Sequence, residues 1–105
     1  MKKILIAIVM VMFATPLFAQ ATSEAEILGG MYGTVIGHID HCDIIVSSSL
    51  IVRMGERLAA TAVSSADEDR AITMFRRVAE AVQQNPTMDC ETVRWTFESI
   101  KEELY

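Results

Sequence analysis

The first 21 residues have the layout of an export signal, which is removed from the mature protein. The folded domain is therefore limited to the residues that follow, and this is the strongest constraint that the sequence places on the fold. After Met1 the segment has two lysines and an apolar run over 4–15; it is broken by Pro16 and ends in Ala19-Gln20-Ala21. We expect cleavage after Ala21, with cleavage after Ala19 as the alternative. The apolar run is shorter than the about 20 residues that span a bilayer, so an uncleaved anchor is the less favoured reading.

Cleavage would leave residues 22–105, a single small helical domain whose core is near the lower limit for independent stability. Losing Lys2 and Lys3 leaves seven basic residues against fourteen acidic ones, a net charge of −7. Such a surface repels nucleic acid and anionic lipid and attracts basic partners. We therefore expect no nucleic-acid binding and no stable membrane insertion after signal cleavage.

The spacing of apolar residues in 22–105 predicts an all-α fold, a small bundle of about four helices with short loops. The first helix is predicted to start at Ser23, where Ser23 and Glu26 fit a capping box. Its apolar positions step by three and four and predict one buried stripe: Leu28, Tyr32, Val35, Ile39 and Cys42.

The second helix is predicted to follow the run Ser47-Ser48-Ser49, any member of which can cap it. An alternative for this region is a short hairpin, because residues 44–46 and 50–52 are rich in β-branched side chains. On the helical reading the inner face consists of five residues: Leu50, Ile51, Met54, Leu58 and Ala62.

The third helix is predicted from a second capping box, Ser65 with Glu68, and is stopped by Asn85-Pro86. The fourth is predicted to begin near Thr87. The stripe of the third helix is Ala71, Phe75, Val78 and Val82, and that of the fourth is Cys90, Val93, Phe97, Ile100 and Leu104.

Cys42 and Cys90 are the two cysteines of the chain, and both fall on predicted apolar stripes. In an oxidising compartment such a pair forms a disulfide, here between the end of the first helix and the start of the last. There is no C-x-x-C motif to indicate redox catalysis. A structural disulfide is therefore the prediction.

Gly29, Gly33 and Gly37 repeat at every fourth residue of the first predicted helix. Because glycine costs up to about 1 kcal/mol relative to alanine in a helix, the repeat predicts a face where another helix packs unusually close. That helix could belong to the same chain or to a second copy in a homodimer. Trp95 lies off the main stripe of the fourth helix and is a candidate contact residue; the alternative is a residue at the edge of the core.

His38 and His41 are three residues apart, beside Asp40 and Cys42. They are weak candidates for a metal site, since zinc or copper accepts such ligands, but a disulfide at Cys42 would compete for its sulfur. The alternative is that both are ordinary residues at a helix C-terminus, where partial positive charge is favourable. We expect no metal and no other cofactor.

No nucleophile elbow, nucleotide loop or haem-attachment motif occurs in the sequence, so we expect a protein that is not an enzyme. The leading hypothesis is a periplasmic, non-catalytic module that binds another protein. In size, export signal and single long-range cysteine pair, the layout is similar to the helical acid-stress chaperones of the bacterial periplasm. That resemblance implies a second hypothesis, a chaperone that loosens at low pH, and the His38/His41 cluster gives a third, a periplasmic metal-binding protein.

Overall fold

Four helices make up most of the part of the chain that the structure describes, residues 22–105. The computed structural model places α1 at Glu24–His38, α2 at Ser48–Thr61, α3 at Ser65–Gln84 and α4 at Cys90–Leu104. No strand occurs among these residues, so the predicted all-α fold is confirmed there. The predicted signal peptide, residues 1–21, lies outside the described residues. Within 22–105, none of the helices combines the length and hydropathy needed to cross a bilayer.

Each helix begins at a polar N-cap. The predicted capping box of α1 is confirmed, because the Ser23 hydroxyl accepts from the Glu26 N–H and the Glu26 carboxylate accepts from the Ser23 N–H. Ser47 caps α2. The box predicted at Ser65 and Glu68 is wrong by one residue: Ser64 is the N-cap of α3 and accepts from the Asp67 N–H.

The first helix, α1, is the centre of the fold. Only one buried stripe was predicted, but residues on every side of α1 are buried, because it is apolar or small around most of its circumference. The helix ends at His38, so Cys42 lies in the following turn and not on the helix itself. Asp43 has a positive φ of 52°, which redirects the chain towards α2. The buried residues of α1 are Ala25, Gly29, Gly30, Met31, Tyr32, Gly33, Thr34, Val35, Gly37 and His38.

The most extensive helix pairing is between α1 and α3. Gly29 faces the backbone of Ala71, Gly33 that of Phe75, and Gly37 that of Ala79. Both members of each pair advance by four residues, so the two helices run parallel and in register. We call this line of contacts the glycine seam.

The second helix, α2, buries Leu50, Met54 and Leu58 on its inner side, as predicted. Ile51, also predicted to face inward, is 40% exposed, because it lies about 100° around the helix from Leu50. The hairpin alternative is wrong. Residues 44–46 form an irregular connection, and the helix begins immediately after the serine cap.

The predicted stripes of α3 and α4 lie inward. Val93, Phe97, Ile100 and Leu104 of α4 are buried, and so are Ala71 and Val82 of α3. Phe75 and Val78 are half-buried. The main apolar cluster draws on all four helices and consists of Ala25, Met31, Tyr32, Val35, Leu50, Met54, Leu58, Ala71, Phe97, Ile100 and Leu104.

Candidate functional site

The predicted disulfide between Cys42 and Cys90 is present, with the two Cα atoms 5.3 Å apart. It joins the turn after α1 to the first residue of α4. The Arg94 guanidinium donates to the Cys42 carbonyl at 2.7 Å, which adds a charged hydrogen bond to the same junction. The end of α1 is therefore fastened to the start of α4 by both a covalent bond and a polar contact.

His38 is fully buried at this junction and uses both ring nitrogens. Nδ1 lies 2.7 Å from the carbonyl oxygen of Thr34, one turn earlier in α1. Nε2 accepts from the backbone N–H groups of Thr87 and Met88, each at 3.1 Å. Through these bonds the side chain holds the connection between α3 and α4 against α1.

The weak metal candidates His38 and His41 are not brought together as a site. The nitrogens of His38 are engaged as described, the Cys42 sulfur is in the disulfide, and His41 is exposed at the surface. Among residues 22–105 the structure contains no group of three or more histidine, cysteine or carboxylate side chains that could hold a metal ion. The interpretation of His38 as an ordinary residue near a helix C-terminus also misses its role in linking two segments.

A second buried polar junction lies at the other end of the glycine seam, around Asp67. Its carboxylate accepts from the Ser23 hydroxyl at 2.5 Å and from the Val63 N–H at 3.0 Å. The Arg70 guanidinium lies 3.5 Å from the carboxylate of Asp67 and 3.7 Å from that of Glu26. The Ser23 hydrogen bond, followed by that of Val63, lowers the pKa of Asp67 below its ordinary value. Asp67 thus joins the starts of α1 and α3 as an ionised acceptor.

The close helix packing predicted at Gly29, Gly33 and Gly37 is present, and of the two alternatives the neighbouring helix is α3 of the same chain, so these glycines are not at the surface. A Cβ atom at position 33 would lie 2.5 Å from the Phe75 carbonyl oxygen, and one at 37 would lie 2.7 Å from that of Ala79. Because glycine has no Cβ atom, the backbone of α3 can approach each of these positions this closely. In this fold α3 occupies the face through which a homodimer was considered.

A different apolar face is exposed, on the outer side of α2. We define the α2 outer face as Ile51, Val52, Gly55 and Ala59; Val63, two residues beyond the end of the helix, is also exposed. Val52 is 59% exposed and Val63 is 87% exposed. A Cβ atom at Gly55 would meet nothing within 4 Å. The spacing of residues 52, 55 and 59 puts them on one side of the helix, so these three residues are contiguous.

Trp95, a candidate contact residue, is 43% exposed on α4. It is separated in sequence from the α2 outer face and lies on a helix whose other exposed residues are mostly charged. The structure therefore places the candidate contact residues in two settings: the three glycines inside the fold and Trp95 at the surface.

Sequence reasoning missed the α2 outer face, the junction at Asp67 and the role of His38. The signal for the first was present, since Val52, Gly55 and Ala59 share a side of α2 that lies away from Leu50, Met54 and Leu58. Comparison of the chain with protein-family models, with curated proteins and with solved structures finds no match.

Proposed function

We propose that this protein is an exported, non-catalytic interaction module of the bacterial periplasm that binds another protein through the α2 outer face. The observation that carries the proposal is the exposure of Ile51 and Val52 on α2 beside a glycine with open space above it. Exposed apolar patches on a small folded protein are typical of sites where a partner binds.

The loss of helix stability caused by a glycine at position 55 supports the presence of a partner there. Glycine in the middle of an exposed helix is less stable than alanine by up to about 1 kcal/mol, and no intramolecular contact at Gly55 compensates for that loss. On α1 the same residue type allows a neighbouring helix to approach within contact distance of the backbone. A partner helix seated on Gly55 and Ala59 would gain the same close approach.

Charge indicates the chemistry of the partner. Residues 22–105 carry a net charge of −7, whereas the helix α2 contains one acidic residue, Glu56, and two basic ones, Arg53 and Arg57. A partner helix with an apolar stripe and basic flanks would bury the stripe on α2 and place its charges over the acidic surroundings. A second copy of this chain, with the same acidic surface, fits less well.

The proposal is tested by placing a photo-crosslinking amino acid at position 52 and, as the control, at Arg76 on the exposed side of α3. Periplasmic expression followed by illumination should give a heteromeric adduct from position 52 and none from position 76. The crosslinked partner is then purified, and its affinity is measured by calorimetry for the wild type and for the variants V52E, R76E and W95A.

We expect V52E to weaken binding at least about tenfold, because it puts a charge into an apolar contact, and R76E to leave it unchanged. Adducts that consist only of two copies of this chain would replace the proposal with a homodimer. A loss of affinity in W95A but not in V52E would move the interface to α4 and overturn it.

A further inference from the structure

A cleft with a volume of about 340 Å³ lies along α3, beside the first turn of α1. This volume is near the lower end of the roughly 300–1,000 Å³ that is typical of sites for small molecules. No residue of α2 lines the cleft, so it is separate from the α2 outer face. Its lining consists of Glu26 from α1 and of Asp69, Arg70, Thr73, Met74 and Arg77 from α3.

Several charged groups that line this cleft have no partner within residues 22–105. The Ser23 N–H and the Arg70 guanidinium both lie against Oε1 of Glu26, which leaves its Oε2 without a donor from this part of the chain. The side chains of Asp69 and Arg77 form neither a hydrogen bond nor an ion pair with another described residue. The cleft therefore presents charged groups that are free to bind a ligand.

The hydroxyl of Thr73, halfway along the cleft, is free as well. Elsewhere in the helices, Thr34, Thr96 and Ser99 each donate the hydroxyl hydrogen to the carbonyl four residues earlier. Thr73 forms no such bond in the described part of the chain, so its hydroxyl can donate to or accept from a bound molecule. Met74 beside it is half-buried and provides apolar surface.

The free charges have opposite signs at the two ends of the cleft. The carboxylates of Glu26 and Asp69 lie at one end, where the Arg70 guanidinium is already beside two carboxylates. The other end has Arg77, eight residues after Asp69 and therefore about 12 Å further along the helix axis. A simple anion or a simple cation would be attracted to one end and repelled at the other. A molecule with one group of each sign, at a matching separation, is attracted at both ends.

We propose that this cleft binds a short peptide with free termini. The ammonium group of the peptide binds the carboxylates of Glu26 and Asp69, and its C-terminal carboxylate binds the guanidinium of Arg77. Thr73 forms a hydrogen bond with a main-chain group between them. Three extended residues span about 10 Å, which is close to the separation of the two charged ends. A single amino acid is too short to reach both.

The proposal is tested by NMR titration of the exported protein with trialanine and with the same peptide acetylated at its N-terminus or amidated at its C-terminus. Trialanine should shift the amide signals of residues 69–77 in a saturable manner, with a dissociation constant in the millimolar range. Either modification removes one charge and should weaken binding by about fivefold. Equal affinity for all three peptides, or no saturable shift in this segment at millimolar trialanine, overturns the proposal.

Three variants assign each terminus of the peptide to one end of the cleft, and all three replace exposed side chains, so the fold is retained. In R77Q the amidated and the unmodified peptide should bind equally, because the guanidinium that distinguishes them is absent. In D69N the difference between the acetylated and the unmodified peptide should narrow, since only Glu26 remains at that end. The control R76Q removes an arginine that does not line the cleft and should keep both differences. Differences that persist unchanged in R77Q and D69N overturn the proposal, because the peptide then binds elsewhere.

Discussion

Two helices of this protein carry small residues at a spacing of four; in one helix these residues are buried, and in the other they are exposed. On α1 the series Gly29, Gly33 and Gly37 is covered by the backbone of α3. On α2 the pair Gly55 and Ala59 is exposed, with no atom within 4 Å of a Cβ at position 55. Such spacing therefore indicates that a neighbour can approach closely, but it does not specify whether the neighbour belongs to the same chain.

The remaining residues of each helix account for the difference. Met31, Tyr32 and Val35 make the other sides of α1 apolar as well, so most of this helix is buried by its neighbours. The helix α2 carries Arg53 and Arg57, which donate to the carbonyls of Leu104 and Glu103 at the end of α4. It is therefore amphipathic and lies at the surface of the bundle.

The largest effect is expected from filling the seam. In G33L a side chain would be forced into the Phe75 backbone, which lies too close even for a Cβ atom, and the parallel pairing of α1 and α3 should be lost. We expect no cooperative thermal transition by circular dichroism. The control is G55L, which adds the same side chain to open space and should melt cooperatively. A cooperative transition of G33L at the wild-type melting temperature would show that the glycine seam accepts a large side chain. It would contradict the difference drawn here between α1 and α2.

Removing the covalent link should cost less than filling the seam. The two cysteines are 48 residues apart in sequence, and loop-closure entropy for such a length gives about 4 kcal/mol. The double variant C42S/C90S should lose roughly that amount in urea unfolding. Reductant should bring the wild type to a similar midpoint while leaving the variant unchanged. A variant as stable as the oxidised wild type would show that packing alone fastens α1.

The Asp67 junction should give a smaller effect with a defined dependence on pH. Its pKa is lowered in the folded protein, so the ionised form stabilises the fold above the unfolded-chain value of about 3.9, and this contribution disappears as the pH falls through the folded value. D67N should therefore melt below the wild type at pH 7, and the difference in melting temperature should narrow as the pH falls below the unfolded-chain value. Asp69, exposed on the same helix, provides the control D69N, for which we expect no such difference at neutral or acidic pH.

The smallest effect is expected at Gly55 and has the opposite sign. G55A should stabilise the monomer by about 1 kcal/mol in urea unfolding, because alanine favours the helix and its Cβ meets no neighbouring atom. The matched substitution G33A should destabilise by about 1–3 kcal/mol, since its Cβ would press on the Phe75 carbonyl. Effects of the same sign at both positions would remove the distinction between the covered and the open glycine.

Sequence patterns predicted those features that depend on neighbours along the chain. The Ser23 capping box and the stripe from Val93 to Leu104 follow from spacings of three and four residues, which a helix converts directly into contacts. The pairing of Cys42 with Cys90 was predictable because these are the only two cysteines. With two cysteines, only one intramolecular disulfide is possible.

The features that were missed depend on residues distant in sequence. The α3 cap lies at Ser64, one residue earlier than predicted, and the Asp67 carboxylate near that cap bonds to Ser23, 44 residues away. His38 bonds to an amide 49 residues away, and its local surroundings resemble any helix C-terminus. For the candidate site, the sequence indicated that the glycines of α1 permit close packing, but only the fold identifies α3 as the neighbour and leaves α2 open.

The parallel seam has a consequence for how the chain emerges during synthesis. Position 29 of α1 meets position 71 of α3, so the most apolar helix of the described chain is made first and waits for about 40 further residues before its cover exists. Cys90 emerges later still. Throughout that interval the apolar surface of α1 has no partner within the chain, so a chaperone that shields it would reduce aggregation before α3 is available.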